Sequence, residues 1–143
     1  MKQHEITQKL HKKGWLFMVN NAPTADFRGK AVWAYNPVVV GNMEKGAEAW
    51  CVLYYSPKSS SRILYNYFNQ EALTRIHKKI KRYKMIPMET GKELKGVSSL
   101  SSYTDFANNT FVFRLMTYDT PNTFGIKIFD KEDFMKAKEN NQL

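Results

Sequence analysis

The chain is 143 residues long and 43% hydrophobic, the size of one ordinary domain with enough apolar material for a core, which excludes wholesale disorder. Lys and Arg number 22 against 13 Asp and Glu, giving a net charge of +9 and a pI near 9.6, a balance that points to a polyanionic partner. No apolar run approaches the ~18 residues of a membrane span, and the single cysteine, Cys51, excludes an internal disulfide. The polar start MKQHEITQKLHKKGW lacks the apolar stretch of a secretory signal, so a cytoplasmic setting is the expectation.

A first helix is expected over Gln3–Lys13, where Ile6 and Leu10 form a narrow stripe, with Gly14 as its stop. Trp15–Val19 is apolar on both faces and reads as a buried central strand. Asn20–Lys30 is a loop, Ala31–Tyr35 a strand, and Val38–Val40 an edge continuation past Pro37. Ala49–Tyr55 is the next strand. The segment from Ser56 to Ser61, rich in hydroxyls, is a loop, and Arg62–Phe68 alternates as a strand.

The helix that follows is the best marked element. Asn69 suits its N-cap, Phe68 and Leu73 suit a hydrophobic staple, and Leu73, Ile76, Ile80 and Tyr83 recur at helical spacing. Pro87 lies beyond its end. Met88–Ser102 is polar, with glycines and serines, and reads as a mobile loop. Thr110–Tyr118 and Thr123–Phe129 form a hairpin. A last helix starts at Asp130, with Phe129 and Phe134 as a staple, and runs to about Glu139.

These elements predict a single basic α+β domain over 1–143, with 139–143 frayed. Its sheet is mostly antiparallel, of roughly five to six strands, with two to three helices packed on one face, in the order α-β-β-β-(β)-α-β-β-α. The first part shares this element order with the double-stranded-RNA-binding domain. It lacks that family's basic signature at the start of the final helix, which here opens Gln70-Glu71-Ala72, so only element order is shared.

The positive charge is concentrated around the helix from Glu71. At about 100° per residue, Arg75, Lys78, Lys79 and Arg82 cluster opposite the apolar face, flanked by Lys81 and Lys84. Lys92 and Lys95 follow, and Lys58 and Arg62 flank the hydroxyl-rich loop. Such a stripe attracts phosphates and releases counterions on binding. Aromatic residues make up 14% of the chain. Tyr54, Tyr65 and Tyr67, with Tyr55, border the loop and the basic helix and are the expected stacking rings for nucleobases.

The expected function is therefore non-enzymatic nucleic-acid binding, to DNA or RNA, mainly through the phosphate backbone. The alternative is a small phage-type regulator or inhibitor that docks on an acidic protein surface. A second alternative is a metal-dependent nuclease, from the triplet Glu93-Leu94-Lys95, whose nearest upstream aspartate is the distant Asp26; Asp105, Asp119 and Asp130 do not sharpen that reading. No cofactor or metal is expected, because CxxC, HExxH and His-x-His are absent and His4, His11 and His77 form no ligand set.

Overall fold

The computed structural model describes residues 8, 15–22, 29–35, 38–40, 43–46, 49–56, 59–95 and 97–140. The helix expected over Gln3–Lys13 lies outside the described residues except for Gln8, which is helical. The strands are β1 (Trp15–Asn21), β2 (Gly29–Tyr35), β3 (Val38–Val40), β4 (Met43–Gly46), β5 (Ala49–Ser56), β6 (Ser59–Tyr67), β7 (Ile86–Gly91), β8 (Leu100–Ala107), β9 (Phe111–Tyr118) and β10 (Phe124–Asp130). Helix α1 (Gln70–Arg82) follows β6, and helix α2 (Lys131–Glu139) follows β10.

The expected count of five to six strands is wrong. The structure has an eight-stranded sheet in the order β1-β2-β5-β6-β10-β9-β8-β7 and a separate two-stranded ladder of β3 and β4. Among the described residues the order is six strands, a helix, four strands and a helix, so the likeness in element order to the double-stranded-RNA-binding domain does not hold. Most of the discrepancy comes from Met88–Ser102, expected to be a loop. It contains most of β7 and the start of β8.

Val38–Val40, expected to continue the preceding strand, instead pairs with β4. Physical reasons account for the omission of β7 and β8. Strand β7 (IPMETG) has no buried face and carries a proline, so neither periodicity nor β-propensity marks it. It is the outermost strand next to β8, with a register shift between Pro87 and Glu89. Strand β8 does alternate, burying Tyr103, Asp105 and Ala107, but the central buried position is an aspartate and breaks the apolar pattern.

The chain divides into two compact units, Met1–Tyr65 and Asn66–Leu143. In the first, β2 pairs antiparallel with β1 and with β5. Ala31, Trp33, Cys51 and Leu53 alternate along β2 and β5 to form a core, against which Trp15, Tyr55, Ile63 and Tyr65 pack. Ala34 and Val52, on the opposite face of the pleat, are buried as well. Trp15–Val19, expected to be central, instead stands at one end of the strand order among the described residues. Phe17 and Met18 are 42% and 38% exposed beside a register shift between Phe17 and Val19. The Phe17 and Trp33 rings meet edge to face, with 5.7 Å between their centres. The hydroxyl-rich loop is shorter than expected, since β6 already begins at Ser59.

In the second unit, β7, β8, β9 and β10 form successive antiparallel pairs. The expected hairpin of β9 and β10 is present, with Phe124 opposite Thr117 and left-handed Asn122 in its turn. Helix α2 starts as expected: the Asp130 carboxylate accepts from the Glu132 and Asp133 amides. Phe129 and Phe134 meet edge to face at 5.1 Å, closing the hydrophobic staple over Ala107 and Val112. Cross-strand from Tyr103, Gly91 leaves room for the ring: a Cβ there would lie 2.8 Å from it and push it aside.

Beside that core lies an ion pair. Asp105 and Arg114 face each other across β8 and β9. Nε donates to Oδ1 at 2.8 Å and Nη2 to Oδ2 at 3.0 Å. Asp105 is fully buried and Arg114 is 6% exposed. The guanidinium carbon lies 5.1, 5.7 and 5.5 Å from the ring centres of Tyr103, Phe129 and Phe134. Near the surface, the Glu89 carboxylate accepts from Lys138 at 2.9 Å and is thereby held below the usual carboxylate range. This links the edge strand to α2.

Candidate functional site

Helix α1 is built by its sequence at both ends. Asn69 Oδ1 accepts from the Ala72 amide at 2.7 Å, satisfying one of the free donors of the first turn. Glu71 in the first turn and Lys79, Lys81 and Arg82 in the last suit the helix dipole. Ile80 is buried and Leu73 and Ile76 half-buried, so the predicted apolar face does point inward.

The helix stops without a glycine. Met85 N–H bonds to the Ile80 carbonyl and Lys84 N–H to the Lys81 carbonyl, both at 3.1 Å, which is the Schellman pattern. Lys84 takes the left-handed position, φ 54°, normally given to glycine. Ile80 and Met85, the apolar pair that accompanies this stop, are both buried.

Six cations project from this scaffold. Arg75, Lys78, Lys79, Lys81, Arg82 and Lys84 are all exposed. Arg75 pairs with Glu71 at 2.7 Å, with both side chains more than two-thirds exposed (71% and 75%), so the pair contributes little. The other five have no ion-pair partner among the described residues. Lys92 and Lys95 are exposed after β7, Lys95 within the turn that the Leu94–Val97 bridge closes. These eight belong to the second compact unit. Arg62 lies half-buried on β6 in the first unit, and Lys58 lies outside the described residues.

The tyrosines do not follow expectation. Tyr67 is 5% exposed, with its ring stacked on Phe124 at 5.8 Å and no hydrogen-bond partner for its hydroxyl among the described residues. Tyr65 packs into the core against Trp15 and hydrogen-bonds Cys51. Tyr54 is half-buried. Burial raises the pKa of all three phenols, and that of the Cys51 thiol to about 12. The alternation that makes β6 a strand turns Tyr65 and Tyr67 toward the core.

Among the described tyrosines the exposed one is Tyr83, at 49%; the rings of Phe68 and Phe111 are exposed as well. The sequence conceals it, because Tyr83 continues the apolar spacing of Leu73, Ile76 and Ile80. The helix ends at Arg82, however, and Tyr83 becomes its C-cap. It meets Phe113 edge-on at 6.3 Å.

The aspartates that follow the Glu93-Leu94-Lys95 triplet have other partners. Asp105 pairs with Arg114, Asp119 accepts from Ser101 at 2.6 Å, and Asp130 caps α2. Asp26 lies outside the described residues. Glu93 is exposed in the turn, and among the described residues no three His, Cys, Asp or Glu side chains gather in metal-binding geometry. No described helix is long and apolar enough to cross a membrane. No protein-family model matches the chain, and no curated protein or solved structure does either.

Proposed function

We propose that this chain is a non-enzymatic nucleic-acid-binding protein of the cytoplasm, whose helix α1 contacts the phosphate backbone of DNA or RNA. One observation carries the reading: the cations of α1 stand exposed opposite its apolar face, and all but Arg75 lack an ion-pair partner among the described residues. Like charges at helical i,i+4 spacing, as for Lys78 and Arg82 or Arg75 and Lys79, cost stability, and a polyanion relieves that cost. Backbone contact without base-reading groups makes binding tolerant of sequence.

Affinity measured across salt tests this. If Arg75, Lys78, Lys79 and Arg82 each neutralise one phosphate, duplex affinity falls about 150-fold between 50 and 200 mM salt. Changing Lys78, Lys79 and Arg82 together to alanine lowers the slope of log affinity against log salt by about 3. No binding at low salt, or a flat salt response, sinks the proposal.

The same cations also suit an acidic protein surface, the docking site of a small phage-type regulator or inhibitor. A partner that stays bound after nuclease treatment would favour that alternative. Cleavage of labelled DNA or RNA dependent on Mg²⁺ would favour a nuclease instead.

A further inference from the structure

Beside the end of α1 lies a cleft of about 440 Å³, within the ~300–1,000 Å³ range of small-ligand sites. Tyr83, Ile86 and Met88 supply its apolar wall, and Ile86 is 67% exposed. Lys84, Asn109 and Lys131 supply polar groups. The position of Tyr83 is fixed from several sides. Its amide donates to the Lys79 carbonyl, and its own carbonyl accepts from Asn108 Nδ2 at 3.2 Å. Asn108 Oδ1 in turn accepts from the Thr110 and Phe111 amides at 2.8 Å each, so Asn108 is held at both ends of its amide. The side chains of Asn109, Lys84 and Lys131 have no such partners among the described residues and remain available to a ligand.

We infer that this cleft is a nucleobase site, and that the protein prefers single-stranded to double-stranded nucleic acid; this rests on the reading of α1 as a phosphate-binding helix. A half-exposed ring at the end of a cationic helix can stack only on a base that has left its duplex stack. Lys84 and Lys131 then meet the phosphates on either side, continuing the charge of α1. Asn109 offers both a donor and an acceptor to a base edge. An acidic peptide would use the lysines but has no planar base to stack on the ring.

The test is fluorescence anisotropy with labelled oligothymidylate, oligouridylate and a hairpin duplex of matched length. The wild-type chain is compared with Tyr83→Leu, which keeps an apolar contact for Phe113, and with Tyr83→Phe, which keeps the ring. Thermal midpoints verify that both variants fold. Tyr83→Leu is expected to weaken single-strand binding about tenfold or more, with duplex binding within about twofold and Tyr83→Phe close to wild type. Bromouracil-substituted oligonucleotide should crosslink to Tyr83 under ultraviolet light. Salt-dependent binding that is insensitive to Tyr83→Leu, with crosslinks elsewhere, overturns the base site and leaves the helix reading intact. Absence of binding to any of these nucleic acids at low salt overturns both. Displacement of oligothymidylate by polyglutamate at equal charge, with the same sensitivity to Tyr83→Leu, assigns the cleft to acidic peptides and overturns the inference.

Discussion

Replacing Asp105 by alanine leaves a guanidinium in the core without its counter-charge. Asp105 is fully buried, its two oxygens take hydrogen bonds of 2.8 and 3.0 Å from Arg114, and three aromatic rings surround the cation. Removing one member of such a pair costs about 3–5 kcal/mol, because the survivor cannot be solvated where it lies. Against a typical domain stability of ~5–15 kcal/mol, that is a large fraction of the whole. The expected fall in Tm is on the order of 10 °C. Removing both charges behaves differently. Asp105→Leu combined with Arg114→Met should recover most of the loss, because no charge remains to be desolvated. Urea unfolding followed by circular dichroism, run as a double-mutant cycle, measures the coupling directly. A coupling below about 0.5 kcal/mol would refute the reasoning, since two exposed or unconnected groups behave that way.

Two further outcomes are expected. Lys84→Gly should stabilise the protein by about 1 kcal/mol, since a side chain at φ 54° carries a steric cost that glycine lacks; a lower urea midpoint for the variant would refute the assignment of the helix stop. Stability should also fall as pH rises above about 9. Burial raises the pKa of Cys51 to about 12 and also raises those of Tyr65 and Tyr67, so the unfolded chain loses these protons first. Their contribution is complete below the unfolded pKa values and is lost as pH climbs toward the folded ones. A urea midpoint unchanged from pH 8 to 10.5 would contradict the burial of these groups.

What the sequence reveals depends on whether a local signal decides the structure. The cap at Asn69, the inward face of α1, the hairpin of β9 and β10 and the Phe129–Phe134 staple all rest on neighbours within a few residues, and each is legible. Strand β8 is not, because Asp105 looks like a surface residue until Arg114 stands opposite it on another strand. Strand β7 is a strand only because β8 pairs with it. The basic stripe of α1 follows directly from spacing, since charges gather wherever the apolar face is not. The tyrosines do not, because a ring beside a basic helix in sequence can lie on either side of a pleat. Tyr83 is exposed through the helix stop at Lys84, which no glycine announces.

The outermost strand β7 also bears on how the chain behaves in a crowd. High local concentration is the condition under which free strand edges template fibres. Pro87 offers no amide to an incoming strand, the shift between Pro87 and Glu89 spoils the spacing of the donors that remain, and Lys138 holds Glu89 at that edge. Strand addition is therefore disfavoured at the β7 edge.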